Sequence, residues 1–242
     1  AIECKPYTDE TLTSWIIRNS IANGTDPKSF ALSVFQTHST WYKDIDRYID
    51  AKQLKQLYDV SSLSKQKIID LTLAKLIEKN TDKDLSNPLK WSFIIPLGIK
   101  GSIQTSGLYF CPDCLRHNNP YIRKQWKLAW VISCQIHKKL LLVQCQNCNQ
   151  VFSPHLISYD YPYIRFCTNC GFDLCSLQTE PVSNEALSFQ KRLTDIAFNQ
   201  DSMQGFPLVA SNSTELFLTL EKLLSFMKYA YSHAKYNYLF KY

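Results

Sequence analysis

Eight residues of the chain have the types and the spacing to hold two metal ions. Cys111-Pro112-Asp113-Cys114 is followed after nineteen residues by Cys134-Gln135-Ile136-His137, and Cys145-Gln146-Asn147-Cys148 after eighteen by Cys167-Thr168-Asn169-Cys170. Structural zinc takes four tetrahedral thiolate or imidazole ligands, and a Cys-x-x-Cys or Cys-x-x-His turn brings two of them together from one tight loop. Two such turns make one site, and gaps of this length are those of zinc ribbons. The sequence therefore predicts two structural zinc ions, one on Cys111, Cys114, Cys134 and His137, the other on Cys145, Cys148, Cys167 and Cys170. Cys4 and Cys175 are left over, and Cys175 or His155 could replace a ligand of the second set.

Structural zinc contributes on the order of 10 kcal/mol to folding, and a segment of roughly 70 residues has too small a core to do without such help. Both sets are saturated with ligands, whereas a catalytic zinc keeps an open position. A nucleobase deaminase needs an HxE motif ahead of a PCxxC; here the proline follows Cys111 and no HxE precedes it. A thioredoxin-like CxxC requires a βαβ setting that the pattern lacks. Asp44 and Asp46, beside Arg47, read as a solvated face rather than a nuclease pair. The sequence nominates no catalytic residue, and no enzymatic activity is expected.

Of the 242 residues 45% are hydrophobic and 20% charged, the balance of a globular chain. Seven of the nine cysteines fall into the metal sets, which favours a reducing cytoplasm over disulfides. The net charge of +6 hints at a nucleic-acid partner, but seven thiolates and two dications would bring it down to about +3. The longest apolar runs, such as Phe93–Leu97 and Leu140–Val143, are far shorter than the ~20 residues of a membrane span, so no membrane partner is expected. Ala1–Tyr7 contain a charge and a proline and do not form the apolar core of a signal peptide.

The elements around the ligands change period twice, which predicts a mainly α fold with a small zinc-ribbon β module. Residues 1–104 read as an N-terminal helix-turn-helix-like bundle, 105–178 as two tandem zinc-binding ribbons, and 179–242 as C-terminal helices. Leu12, Trp15, Ile16 and Asn19 share a helical face after Asp9 as N-cap, and Asn23-Gly24 stops the helix. Asp26 and Pro27 open a second helix that buries Phe30, Ala31 and Val34. A further pair is expected from Leu54, Leu57 and Tyr58, then a polar turn Ser61–Ser64, then Ile69, Leu73, Leu76 and Ile77. Asn80–Asp84 reads as a solvated linker, and Gln125–Ile132 and Leu140–Val143 as strands. Phe189, Leu193, Ile196 and Ala197 predict one C-terminal helix face; Leu216, Leu220, Leu223, Leu224, Met227 and Tyr231 predict another, followed by the aromatic end Tyr236, Tyr238, Phe240 and Tyr242. Arg123, Lys124 and Lys127 flank Trp126 in the mixed basic and aromatic manner of a nucleic-acid surface, although Trp126 serves equally well as core.

The order of these features resembles the TniQ and TnsD family of transposon target-selection proteins over roughly residues 5 to 175. The run Lys5-Pro6-Tyr7-Thr8-Asp9-Glu10-Thr11-Leu12-Thr13-Ser14, with Arg18 and Asn23-Gly24, is similar to the family's opening, and Leu71-Thr72-Leu73 to a motif after the second helix pair. Cys111-Pro112-Asp113-Cys114-Leu115, Trp126, Cys134, His137, Leu140 or Leu141, Cys145, Cys148, Phe152, Cys167 and Cys170 resemble its double zinc module. The resemblance implies a non-catalytic adaptor that recognises an insertion site, by binding DNA or by docking on a CRISPR effector complex with its guide RNA. It further implies recruitment of an AAA+ ATPase transposition regulator (TnsC-like). The alternative it leaves open is a stand-alone, sequence-specific DNA-binding protein that selects an attachment site. Family members of that kind generally carry longer C-terminal regions, so a chain ending at Tyr242 leans toward the RNA-guided type. In a helix-turn-helix the second helix can enter the major groove, which would present Lys28 and Ser29 from the first pair and Lys65, Gln66 and Lys67 from the second, to DNA or to a protein partner. Two copies could also pair as a homodimer.

Overall fold

The structure is a computed structural model that describes residues 3–37, 40–42, 44–81, 91, 93–95, 98–100, 103–105, 108–199 and 210–234. Its helices are α1 (Leu12–Ala22), α2 (Pro27–Phe35), α3 (Ala51–Val60), α4 (Lys65–Asp70), α5 (Ala74–Asn80), α6 (Pro112–Leu115), α7 (Asn184–Asn199) and α8 (Ser213–Ala234). Two antiparallel pairs interrupt them: β1 (Gly98–Lys100) with β2 (Ile103–Thr105), and β3 (Ser133–Cys134) with β4 (Lys139–Leu140). The architecture is mainly helical with a small ribbon module, as the sequence predicts.

Helix α1 is the centre of the N-terminal half. Leu12, Trp15, Ile16 and Asn19 are buried, and so are Thr13, Ser14, Ile17 and Ser20, as in a helix packed on nearly every side. The cap is Thr11, whose hydroxyl accepts from Ser14 N at 3.1 Å, and not Asp9. Asp9 turns away to accept from the Tyr121 hydroxyl at 2.9 Å and to pair with Arg123. Gly24 ends the helix at φ +65°, a left-handed conformation that glycine takes without a Cβ clash. Asp26 accepts from Lys28 N and Ser29 N at 3.0 and 2.9 Å and so caps α2, with Pro27 at its first position. Ala31 is fully buried, Phe30 and Val34 half-buried.

The second pair departs from the expected single helix after Ser64. Leu57 is buried and Leu54 half-buried, but Tyr58 faces solvent beneath Lys65. Between Asp70 and Ala74 the chain breaks, because its backbone is claimed from outside. Leu71 O accepts from Leu12 N at 2.9 Å, Leu73 N donates to Asp46 O at 2.6 Å, and the Thr72 hydroxyl accepts from Ala74 N at 3.2 Å. The break lets Ile68, Leu71, Leu73, Leu76 and Ile77 all reach the core, while Ile69 is only half-buried. Asn80, expected in a solvated linker, closes α5 instead and donates from Nδ2 to Ala197 O at 2.8 Å; residues 82–84 of that linker lie outside the described residues.

Gln125–Ile132 is not a strand. Trp126 N, Leu128 N and Val131 N fold back onto Arg123 O, Gln125 O and Leu128 O, giving successive turns from Lys124 onward. Trp126 and Leu128 are buried by this path, but Ile132 is exposed. Of Leu140–Val143 only Leu140 belongs to a strand; Leu142 pairs with Phe110 through two 2.9 Å backbone bonds.

One core of buried residues runs from Leu12 of α1 through Trp126 and the ligand cysteines to Phe217 of α8. Trp91, Phe93, Trp130 and Phe217 meet in it with ring centroids 5.2 to 6.3 Å apart. Leu193, Ile196 and Ala197 of α7 are buried as expected, whereas Phe189 is exposed. On α8 the expected face holds only at its start: Leu216 is buried and Leu220 half-buried, but Leu223, Leu224 and Met227 face solvent. The side chain of Tyr231 and the aromatic end lie outside the described residues. Among those residues, no helix is long and apolar enough to cross a membrane.

Candidate metal centres and contact surface

The ligand atoms of each predicted set lie within 4.8 Å of one another, so each set could hold one metal ion. Zn–S bonds of about 2.3 Å and Zn–N bonds of about 2.0–2.1 Å imply, for a tetrahedron, S···S edges near 3.8 Å and S···N edges near 3.6 Å. In the first set Cys114 and Cys134 sulfurs are 3.7 Å apart, and His137 Nδ1 lies 3.4, 3.3 and 3.6 Å from Cys111, Cys114 and Cys134. In the second, Cys145 and Cys170 are 3.8 Å apart and Cys148 and Cys167 3.6 Å. The donor sets fit a tetrahedral thiophilic ion.

Three of the four ligand turns share one local design. The residue after the second ligand has positive φ, at Lys138 (54°), Asn149 (57°) and Gly171 (69°). Its N–H returns to the carbonyl of the first ligand: Lys138 to Cys134 at 2.8 Å, Asn149 to Cys145 at 2.9 Å, Gly171 to Cys167 at 2.9 Å. Each knuckle thereby turns both ligand side chains to one side. The fourth turn is different: Pro112 starts α6, so Cys111 and Cys114 project from a single helical turn closed by Leu115 N to Cys111 O at 3.1 Å. Crowded thiols resist ionising together. Hydrogen bonds to Cys111 and Cys134, helped by burial, hold the Cys114 thiol far above its ordinary range, a penalty that a bound dication removes.

Neither alternative ligand reaches the second set. His155 stacks on Trp41 at 5.5 Å, where burial and then the charge of Lys28 lower it to about 4. Cys175 is buried, and its carbonyl accepts from Arg116 at 2.6 Å.

A family model described as TniQ matches residues 1–141, more than half of the 242. The chain belongs to the TniQ family. It is thus a transposition-associated targeting protein, of a family whose members are non-catalytic. No curated protein matches the chain. The TniQ match takes in α1 to α6 and the whole first ligand set, and stops short of Cys145.

The proposed contact residues of this TniQ protein divide by burial. Lys28 and Ser29 on α2 and Lys65, Gln66 and Lys67 on α4 are exposed. Arg123 is half-buried between Asp9 and the rings of Tyr121 and Trp126, at 4.6 and 5.9 Å. Lys124 is half-buried and donates to Asp70 O at 2.7 Å. Lys127 has no exposed side-chain surface: its ammonium lies 2.6 Å from Asp44 and 3.3 Å from Asp46. It is a core residue and reaches no partner. Asp44 and Asp46 are correspondingly buried rather than solvated, with Asp46 Oδ1 accepting from Thr13 N at 2.7 Å.

Two anchors lie outside the site residues expected from the sequence, although the first falls within the family-like opening run. Glu10 is fully buried between Ser14 (2.8 Å) and Arg18 (2.7 Å), while Tyr7 stacks on Tyr121 at 4.2 Å. Gln190 of α7 accepts from Ile132 N, Ser133 N and Ser133 Oγ and donates to Ser133 O, all within 3.0 Å. The second anchor ties α7 to the strand that carries Cys134.

Proposed function

We propose that this protein is a non-catalytic adaptor of transposition, which couples recognition of a target site to recruitment of an AAA+ ATPase regulator (TnsC-like). The TniQ match across residues 1–141 carries this reading. Two zinc ions serve as scaffold. Zinc is the usual ion of structural Cys3His and Cys4 tetrahedra, and a set of four protein ligands leaves no position for substrate. Thiolates held by metal suit a reducing cytoplasm.

Target recognition on this reading uses the exposed residues of α2 and α4, Lys28, Ser29, Lys65, Gln66 and Lys67, against a CRISPR effector complex with its guide RNA or against DNA. A rigid frame favours such a role, because a coupling protein must hold one surface in register with another. Here Arg123 on Asp9 and Gln190 on Ser133 join the helical and metal-bearing segments.

The test is co-purification of the chain with a TnsC-like AAA+ ATPase and with a CRISPR effector complex. The adaptor reading expects a ternary assembly that depends on the chain. Tight binding to an attachment-site duplex in preference to random DNA, with no recruitment of either partner, would establish the stand-alone DNA-binding alternative instead.

A further inference from the structure

Four ammonium groups from three parts of the chain line one cleft of about 460 Å³: Lys67 of α4, Lys75 and Lys79 of α5, and Lys124 from the ribbon module, with Phe198 of α7 at its side. Asp70 is the one carboxylate that lines it among the described residues, and it is engaged by Lys75 at 2.7 Å and Gln66 at 3.1 Å. Backbone carbonyls accept from two further lysines. Lys79 donates to Phe198 O at 2.8 Å and Lys124 to Asp70 O at 2.7 Å. An ammonium has three donors, so Lys75 and Lys124 keep capacity for an incoming acceptor, and Lys67 stands exposed at the rim.

The cations are crowded. Burial lowers Lys124, and although Asp70 and Asp9 oppose that, Lys67 and Lys75 add to the lowering. A fold that holds like charges this close gains from an anion between them. We propose that this cleft binds the phosphodiester backbone of a nucleic acid without regard to its sequence.

Three features select that occupant. Lysines act as point charges toward phosphate, and among the described residues no arginine fork lines the cleft to grip a carboxylate. Among the described residues no exposed aromatic face lines it to stack a base, and Phe198 is half-buried, so the site reads charge and spacing and not base identity. The exposed Lys65 and Gln66 extend the polar surface along α4, which suits a polymer better than a single nucleotide. The inference rests on the target-recognition reading, which already uses Lys67, and deepens it by naming the phosphodiester backbone as the ligand and this cleft as its site.

The experiment is fluorescence anisotropy on the full metal-loaded chain, with a labelled random-sequence DNA duplex and a labelled single-stranded RNA as probes, across a salt series. The cleft predicts binding to at least one probe, and the two arms tell which backbone it takes. The slope of log K against log salt should fall in magnitude by about 1 for Lys67→Ala and about 2 for Lys67→Ala with Lys75→Ala. Asp70→Asn, which removes the opposing charge, should tighten binding; Lys52→Ala on the exposed side of α3 should change nothing. Equal slopes in wild type and both lysine variants overturn the proposal, as does absence of binding to both probes at low salt. Recruitment of the ATPase, measured separately, distinguishes failure of this site from failure of the adaptor reading.

Discussion

The ammonium of Lys127 sits 2.6 Å from a carboxylate oxygen of Asp44, and neither side chain has more than 3% of its surface exposed. Asp46 completes the cluster at 3.3 Å. Arg47 Nε also lies 3.4 Å from Asp44, so an arginine and a lysine together balance the two carboxylates that precede α3, and Lys127 reaches Asp44 across 83 residues of chain. Removing one partner of a buried ion pair costs about 3–5 kcal/mol, because the charge left behind is uncompensated. Lys127→Met should therefore destabilise the protein by about that much in urea melts. Adding Asp46→Asn should recover part of the loss; a fully additive double variant would show that the cluster does not act as a unit.

This cluster also marks the limit of sequence reading. The metal ligands are legible because a CxxC turn is local: two donors three positions apart converge whatever the rest of the chain does. The capped start of α2 is legible for the same reason. Lys127, Asp44 and Asp46 are not, since a charged residue signals solvent until a partner far away in sequence arrives. The break at Thr72 has the same origin. Apolar spacing alone continues a helix through Leu73, and the bonds of Leu71 O to Leu12 N and of Leu73 N to Asp46 O divert it. Period also misled at Gln125–Ile132, where alternation of large residues arose from successive turns and not from a pleat.

Gln190, itself buried, satisfies three polar groups of buried Ser133 and the N–H of Ile132. Each buried group left without a partner costs about 1–3 kcal/mol. Gln190→Leu should lower stability by on the order of 3 kcal/mol, with hydrogen exchange accelerated in α7 before α1. Unchanged protection of α7 would show that its apolar face alone holds it.

Gly171 has φ +69°, and a Cβ built there meets Tyr161 Cε1 at 2.2 Å. Gly171→Ala combines a left-handed backbone, about 1–2 kcal/mol for a residue with a Cβ, with a displaced ring. It should weaken metal retention at the second set in a chelator competition. Asn149→Gly at the equivalent turn of Cys145 and Cys148 should be tolerated, because glycine accepts φ 57° without strain. Equal chelator sensitivity of the two variants would count against the shared knuckle design.

Burial raises the carboxyl of Glu10 above its ordinary 4.5, against the opposing charge of Arg18. An acid raised on folding binds more protons in the native than in the unfolded state, so its contribution to stability falls as pH rises above the unfolded value. Relative to Glu10→Gln, the wild type should lose stability between about pH 4.5 and the native titration point. Thermal melts of both proteins from pH 4 to 7 check this, at about half-unit steps. A wild type that gains on the variant as pH rises would mean that Arg18 outweighs burial.

The most direct test of the whole account is the metal content of the purified chain by inductively coupled plasma mass spectrometry, beside that of Cys114→Ser and Cys148→Ser. Two four-ligand sets predict two zinc ions per wild-type chain and loss of one in each variant, with the ribbon module unfolding locally around the altered set. Two ions retained in Cys148→Ser, or none in the wild type, would contradict it.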